Sequence, residues 1–169
     1  MIRAAVLTVS DAVAAGERED AGGPALAAAC REALGAEIVE RAVVADEREA
    51  IAGRLRAWSR AGIDLVLATG GTGVSPRDRT PEAFRDAIDL EIPGLAEKMR
   101  AETGRALPAA YLSRQVAGLA GATLCLALPG SPSGAVDCFR AVAALLPHAI
   151  ALARGERPPH PAPQPGGAA

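Results

Sequence analysis

Aromatic residues and lysine are scarce in this chain of 169 residues. It contains one Trp, one Tyr and two Phe, and Lys98 is its only lysine. The formal net charge is −2 at pH 7. A nucleic-acid-binding surface needs concentrated positive charge and, for single strands, aromatic rings on which bases stack. The composition therefore argues against a nucleic-acid partner.

Cysteine is also scarce, and Cys30, Cys125 and Cys138 form no Cys-x-x-Cys pair. This spacing predicts neither a disulfide framework nor a zinc site, and it favours buried thiols in a reducing compartment. We see no run of about 18 apolar residues that would span a membrane. The apolar start of the chain lacks a small-residue cleavage site before Asp11. We therefore expect a soluble cytoplasmic domain with no membrane partner.

Several common catalytic motifs are missing. There is no Gly-Lys-Ser/Thr sequence of a Walker-type phosphate loop. Pro76 stands where a dinucleotide-binding fingerprint requires glycine. No Gly-x-Ser-x-Gly elbow exists, and neither His148 nor His160 lies in the context of a catalytic triad. These absences argue against a nicotinamide enzyme and against Ser–His nucleophilic catalysis.

Short apolar runs alternate with amphipathic stretches along the chain. The runs are typical of strands covered by helices on both faces, and they are Ala4–Val9, Ile38–Val44, Leu65–Ala68 and Thr123–Leu128. The helical stretches are Pro24–Leu34, Glu47–Ala61, Pro93–Thr103 and Ala135–Leu146. Asp46 is the expected N-cap of the second helix, and Trp58 is expected in its core-facing side. The order predicts a three-layer α/β/α sandwich with a mostly parallel sheet.

A change of composition divides the chain in two. We expect one α/β domain over residues 1–154, and the Pro/Gly-rich residues 155–169 are expected to form a disordered tail.

Two loops at strand ends are candidate ligand sites, because open α/β sheets bind ligands beyond the carboxyl ends of their strands. In the first loop, residues 69–82, three glycines allow the backbone N–H groups to form an anion-binding nest. Thr80-Pro81 follows as the expected N-cap and first turn of a helix whose dipole favours phosphate. A tight turn is the alternative, but the polar run after the glycines favours a site. The second loop, residues 128–134, is ordinary turn chemistry by itself.

Asp11, Asp46 and Asp78 each follow a predicted strand and are expected on one rim of the sheet. A single Asp in such a position more often caps a helix or forms a turn. Mg²⁺ is commonly held by one or two carboxylates together with substrate phosphates. Three carboxylates beside a phosphate cradle therefore favour Mg-assisted chemistry on a phosphorylated or nucleotide substrate.

Further short motifs occur in order along the chain. They are Thr8-Val-Ser-Asp11, Asp46, Thr69-Gly-Gly-Thr-Gly73, Ser75-Pro-Arg-Asp-Arg-Thr-Pro-Glu-Ala83, Glu91-Ile-Pro-Gly94, Leu112-Ser-Arg114 and Leu128-Pro-Gly-Ser-Pro132. In this order they resemble the MoaB/MogA proteins, the molybdopterin-binding family of molybdenum-cofactor biosynthesis. The resemblance covers the chain from the first predicted strand to the end of the last predicted helix.

The resemblance implies the molybdopterin-binding domain fold, a homotrimer and a molybdopterin adenylyltransferase. Such an enzyme transfers AMP from Mg·ATP to the terminal phosphate of molybdopterin and releases pyrophosphate. The resemblance further implies Mg²⁺ as cofactor, ATP as co-substrate and a separate downstream protein that inserts molybdate. Asp46 and Asp78 are its expected catalytic carboxylates and Mg²⁺ ligands. Its expected substrate-binding residues are Ser10, Asp11, Gly70, Gly71, Thr72, Gly73, Ser75, Ser113, Pro129, Gly130 and Ser131.

Two alternatives to the enzyme use the same fold. A non-catalytic molybdopterin-binding or carrier protein of the same pathway needs the same loops, and a structural subunit would keep a vestigial glycine loop. The presence of Asp46 and Asp78 favours the enzyme. Arg114 is compatible with an anion contact or an inter-subunit ion pair. Glu97 and Arg100 are compatible with a site contact or a surface pair.

Overall fold

Six strands form one mixed sheet in the computed structural model, which describes residues 1–159. In chain order they are β1 (Arg3–Val9), β2 (Glu37–Val44), β3 (Leu65–Thr69), β4 (Leu90–Glu91), β5 (Ala117–Ala120) and β6 (Thr123–Leu128). Their spatial order is β2-β1-β3-β6-β5-β4. The first four strands in this order are parallel, and β5 runs antiparallel to both of its neighbours. The sheet is therefore mostly parallel, as the sequence predicts.

Helices cover both faces of the sheet. They are α1 (Asp11–Ala14), α2 (Gly22–Leu34), α3 (Arg48–Arg60), α4 (Thr80–Ala87), α5 (Pro93–Gly104), α6 (Pro132–Val142) and α7 (Leu146–Ala153). One core contains Leu26 of α2, Met99 of α5 and Phe139 of α6, and the other contains Trp58 of α3 and Phe84 of α4. Alternate residues of β1 enter the two cores, as the two-residue period of a strand requires. This arrangement confirms the predicted three-layer sandwich.

The sequence prediction missed the antiparallel edge of the sheet. β4 has two residues, and β5 has the sequence Ala-Gly-Leu-Ala, which lacks β-branched and aromatic residues. The prediction that β2 is covered on both faces is wrong, because β2 is an edge strand and its side chains are half-buried or exposed.

Both predicted helix caps are wrong. The N-cap of α3 is Glu47, so Asp46 lies one residue before it and its side chain accepts a hydrogen bond from the Asp11 N–H (3.0 Å). Thr80 is the first residue of α4 rather than its cap, and its hydroxyl donates to the Gly70 carbonyl (2.8 Å). Both side chains therefore connect loops instead of satisfying a helix end.

The last predicted helix is interrupted. A 3₁₀ turn at Ala143–Leu145 separates α6 from α7, and Pro147 in the first turn of α7 lacks the N–H that a continuous helix would use. The helical run Pro132–Ala153 has the length and mean hydropathy (1.5) of a membrane span, although we expected no such segment. Its Phe139, Leu146 and Ile150 are buried in the core of the domain, where such apolar helices are common. The predicted tail begins two residues after α7, and its residues 160–169 lie outside the described residues.

The predictions that the cysteines are buried thiols and that Trp58 is a core residue are confirmed. All three cysteines are free and buried, and burial raises the pKa of Cys30 to about 11 and that of Cys125 to about 12. Trp58 is buried in the core, and its indole N–H donates to Glu40 (2.7 Å). These side chains have structural roles.

Two glycines provide a matched test of backbone energetics. Neither Gly53, inside α3, nor Gly35, the left-handed C-cap of α2 (φ 58°), would place a Cβ against another atom. We expect Gly53→Ala to raise the free energy of unfolding by about 0.5–1 kcal/mol through the helix preference of Ala. We expect Gly35→Ala to lower it by roughly 1–2 kcal/mol through left-handed strain. Urea titration measures both, and changes of the same sign would contradict these backbone assignments.

Candidate functional site

The carboxyl ends of β1, β2, β3 and β6 bring four loops together at one edge of the sheet. The loops after β3 and β6 are joined directly. The Gly70 N–H donates to the Leu128 carbonyl (3.1 Å), and the Thr69 hydroxyl donates to the Pro129 carbonyl (2.7 Å). The two loops that the sequence singles out are therefore neighbours.

Residues 70–79, which we call the glycine loop, begin with two left-handed glycines. Gly70 has φ 111° and Gly71 has φ 63°. A Cβ on Gly71 would lie 2.5 Å from the Thr80 hydroxyl and 2.7 Å from a carboxylate oxygen of Asp46. Backbone angle and available space both require glycine here.

Thr80 binds the first two carbonyls of the glycine loop. Its hydroxyl donates to the Gly70 carbonyl and its N–H donates to the Gly71 carbonyl (3.1 Å). Thr80 is fully buried, so both bonds are protected from water. The start of the loop is therefore anchored to α4.

Arg114 binds the next two carbonyls. Its backbone N–H donates to the Thr72 carbonyl (2.7 Å), and its guanidinium Nε donates to the Gly73 carbonyl (2.7 Å). Ser113 adds a hydrogen bond between its hydroxyl and that of Thr72 (3.1 Å). Four consecutive carbonyls, at residues 70–73, are thus bonded to the body of the domain.

The N–H groups of the same stretch have no such partners. Within residues 1–159, the N–H groups of residues 71–74 have no hydrogen-bond acceptor. Successive backbone N–H groups in a turn form an anion-binding concavity when they point to a common centre. The glycine loop therefore offers the free donors that a phosphate-binding loop needs.

Two cavities meet at the glycine loop. The smaller has a volume of about 520 Å³ and the larger about 780 Å³. Both are lined by Gly71, Asp78, Gly130 and Ser131. Two ligands in these cavities would come into contact at this junction.

Most of the predicted site residues line one or both cavities. Ser10, Asp46 and Gly70 line the smaller cavity. The larger cavity is lined by Thr72, Gly73, Ser113 and Pro129. Asp11 and Ser75 line neither of these two cavities.

Asp11 instead connects loops. Its carboxylate accepts hydrogen bonds from the Arg77 guanidinium (2.9 and 3.0 Å) and from the Asp46 N–H (3.0 Å). These bonds hold the pKa of Asp11 below its ordinary value, first through the Asp46 N–H and then through Arg77. Arg77 also pairs with Glu47 (3.0 Å). Ser75 has a similar internal role, since its N–H donates to the Asp78 carboxylate (2.8 Å).

Asp46 has the opposite electrostatic environment. Its pKa is raised, first by burial and further by the negative charges of Asp11 and Asp78, although the Asp11 N–H lowers it. A cation beside Asp46 and Asp78 would relieve this repulsion. Within residues 1–159, no group of three or more His, Cys, Asp or Glu side chains is arranged to hold a metal ion. Two carboxylates fit a Mg²⁺ ion that takes its remaining ligands from substrate phosphates and water.

Sequence reasoning missed part of the smaller cavity. Thr8, Arg18 and Asp20 line it. Asp20 accepts hydrogen bonds from the Thr8 hydroxyl (3.0 Å) and from the N–H of Gly23 in the first turn of α2 (2.9 Å). The Arg18 guanidinium donates to the Ser10 hydroxyl (2.9 Å). The available signal was Asp20 shortly before a Gly-Gly pair, which is typical of a helix start.

The raised pKa of Asp46 generates a stability prediction. Folding raises it above the ordinary value of 3.8, so the ionised carboxylate destabilises the fold above that pH and has no effect well below it. Asp46→Asn keeps an acceptor for the Asp11 N–H and removes the charge. We expect this variant to have a higher free energy of unfolding than wild type at pH 7, and the difference to vanish as the pH falls below 3.8.

Urea unfolding at a series of pH values measures this difference, and Asp86→Asn is the control. Asp86 is the exposed partner of Arg48, which lowers the pKa of Asp86 by hydrogen bonding, so its loss is expected to destabilise the fold at pH 7. A less stable Asp46→Asn variant at pH 7 would contradict the electrostatic description of the site.

Comparison with known proteins identifies relatives over most of the chain. It is 40% identical over 148 residues to the molybdenum cofactor synthesis protein cinnamon of Drosophila melanogaster, covering 87% of this chain and 25% of that protein. The chain thus spans about a quarter of this relative's length. It is 36% identical over 156 residues to a molybdopterin adenylyltransferase of Helicobacter pylori, covering 91% of this chain and 89% of that protein.

The fold and the family agree with these relatives. The crystal structure of the molybdopterin biosynthesis enzyme MoaB from Thermus thermophilus superimposes with a TM-score of 0.83 at 49% identity, covering 92% of this chain and 98% of that one. The family described as a probable molybdopterin binding domain matches residues 5–148, which include the glycine loop, both candidate carboxylates and the loop after β6. The chain belongs to this molybdopterin-binding domain family.

Proposed function

We propose that this protein is a molybdopterin adenylyltransferase of molybdenum-cofactor biosynthesis. It transfers AMP from ATP to the terminal phosphate of molybdopterin and releases pyrophosphate. The similarity to the Helicobacter pylori adenylyltransferase over 91% of this chain supports the assignment. The observation that carries it is the junction of two cavities at residues 71, 78, 130 and 131, beside unpaired N–H groups and two carboxylates.

The reaction joins two anions, so its main requirement is positioning. An oxygen of the molybdopterin phosphate attacks the α-phosphorus of ATP, the bond from that phosphorus to the bridging oxygen breaks, and pyrophosphate leaves with the electron pair. The attacking phosphate is already ionised and needs no general base. The work of the protein is to hold both phosphates in line and to offset their repulsion.

The residues of the junction suit this task. The N–H groups of residues 71–74 would bind phosphate oxygens on one side, and the loop of Gly130 and Ser131 would approach from the other. Asp46 and Asp78 would hold Mg²⁺, which when bound with ATP neutralises phosphate charge.

We also propose a downstream partner, a compartment and an oligomeric state for the protein. The adenylylated pterin is an activated product, so a separate downstream protein would accept it for molybdate insertion. We place the protein in the cytoplasm, with its free, buried thiols as support. We also propose a homotrimer, since Leu107, Tyr111 and Leu112 are 59–62% exposed around one 3₁₀ turn.

Pyrophosphate release from Mg·ATP, with and without molybdopterin, tests the proposed activity. We expect release to depend on molybdopterin and to fall at least about 100-fold in Asp46→Asn and in Asp78→Asn, because charge neutralisation at the phosphates is lost. Molybdopterin binding is expected to persist in both variants. Asp86→Asn, which removes an exposed carboxylate outside both cavities, is the matched control.

The competing function predicts a different result. Wild-type protein that binds molybdopterin but releases no pyrophosphate would be a carrier, and the adenylyltransferase proposal would fail. Unchanged rates in both Asp variants would leave the activity in place and overturn the role of the carboxylates.

Sedimentation equilibrium tests the trimer. We expect a mass three times that of the 17.1 kDa chain. Leu112→Asp is expected to shift the protein towards monomer, because a charge replaces an apolar side chain in the proposed interface. Leu152→Asp is the control, since Leu152 is 50% exposed on α7. A wild-type monomer at micromolar concentration would contradict the proposal.

A further inference from the structure

Arg114 makes contacts that its position in the sequence did not reveal. It stands between the 3₁₀ turn Pro108–Leu112 and β5, and it lines neither of the two cavities. Its side chain is 36% exposed. Besides the Gly73 carbonyl, its guanidinium reaches the Asp78 carbonyl through Nη2 (3.0 Å) and the Glu82 carboxylate through Nη1. All these partners belong to the glycine loop or to α4 directly after it.

The two carbonyls that the Arg114 guanidinium binds, those of Gly73 and Asp78, lie on either side of the exposed turn at residues 74–77. A planar guanidinium presents its N–H donors in a fixed fork, so binding both carbonyls fixes the distance between the two ends of that turn. With the bond from its backbone N–H to the Thr72 carbonyl, Arg114 binds three carbonyls of the glycine loop. The N–H groups at residues 71–74 remain unpaired within the described part of the chain.

Glu82 orients the guanidinium. Burial raises the pKa of Glu82, but hydrogen bonds from Arg114 and from its own backbone N–H outweigh burial, and the net shift is downward. The second carboxylate oxygen is buried and has no hydrogen-bond partner within residues 1–159. A buried carboxylate oxygen without a hydrogen-bond partner is costly, although the Glu82 side chain as a whole is 30% exposed. Its retention beside Arg114 is consistent with a role in holding that side chain in place.

We propose that Arg114, oriented by Glu82, is a positioning residue that holds the glycine loop in its anion-binding shape. It acts through the loop backbone and touches no substrate. The inference rests on the proposed function only for the identity of the anion, which would be a substrate phosphate. The shared chemistry is a phosphate group held by backbone N–H donors.

Substitution of Arg114 by lysine distinguishes this positioning role from an effect of positive charge alone. Arg114→Lys keeps the positive charge, but its three N–H donors all lie on one nitrogen and cannot reach both carbonyls and Glu82 as the spread fork of Arg does. If Arg114 bound the anion directly, Arg114→Lys would keep much of the affinity for the anion. If the guanidinium shapes the loop, Arg114→Lys loses that affinity. Arg114→Met removes the charge as well, and Glu82→Gln leaves Arg114 intact while weakening its orientation.

Calorimetric titration with inorganic pyrophosphate measures the effect without relying on catalysis. We expect Arg114→Lys and Arg114→Met to weaken pyrophosphate binding by similar factors of about tenfold or more, because charged hydrogen bonds to the loop are lost in both. Glu82→Gln is expected to weaken it in the same direction. Thermal unfolding, run in parallel, checks that each protein is folded at the titration temperature.

Arg154 offers a matched control pair. Its side chain is also 36% exposed and pairs with Asp64 (2.6 Å). Asp64 lies directly before β3, whereas the glycine loop follows the other end of that strand. Arg154→Lys and Arg154→Met are expected to lower stability and to leave pyrophosphate affinity unchanged. A lower affinity only in the Arg114 and Glu82 variants therefore reports on loop shape rather than on stability.

Three results would overturn the inference. The first is a wild-type pyrophosphate affinity in Arg114→Lys together with weak binding in Arg114→Met. The second is a wild-type pyrophosphate affinity in all three variants. The third is that the wild-type protein does not bind pyrophosphate. Failure of the proposed function gives a different pattern, in which wild-type protein binds pyrophosphate and depends on Arg114 but does not transfer AMP.

Discussion

The orientation of four peptide groups is the constraint on which the site depends. From residue 70 to residue 73, every carbonyl is bonded to the domain, and Thr80 and Arg114 provide all four donors. Within residues 1–159, the N–H groups that follow these carbonyls have no acceptor and are available to a ligand. Gly70 and Gly71 make this possible, because their left-handed angles and close neighbours admit no side chain. The binding surface is thus a property of the backbone, and the side chains around it keep that backbone in place.

The acidic residues at the same edge of the sheet divide into two roles. Asp11 is paired with Arg77 and joins the loops after β1, β2 and β3, and its pKa is lowered accordingly. Asp46 is more buried, lies near two other carboxylates and has a raised pKa. Its charge destabilises the free protein and would be balanced by a cation that arrives with substrate. Functional sites commonly sacrifice stability in this way.

Much of the fold could be predicted from the sequence, because buried parallel strands are continuous apolar runs and their helices are amphipathic. The β4–β5 edge could not, since its strands are short and β5 contains Gly and Ala. The glycine loop was found through its composition. The sequence predicts Asp46 as a catalytic carboxylate and also as a helix cap, and only the cap is wrong. The bonds between Asp11 and Asp46 could not be predicted, because spacing along the chain does not show which of several adjacent loops a carboxylate will bond to. The sequence leaves the role of Arg114 open for the same reason, since the partners of its guanidinium lie 32 to 41 residues away.

The central claim is that the N–H groups of residues 71–74 bind phosphate. Backbone amide NMR of ¹⁵N-labelled protein, titrated with inorganic pyrophosphate, tests it most directly. We expect the amide signals of residues 71–74 to shift progressively and saturably, while those of Gly53 and Gly94, in helices away from the cavities, do not move. Unchanged signals at residues 71–74, with binding located at other residues, would contradict it.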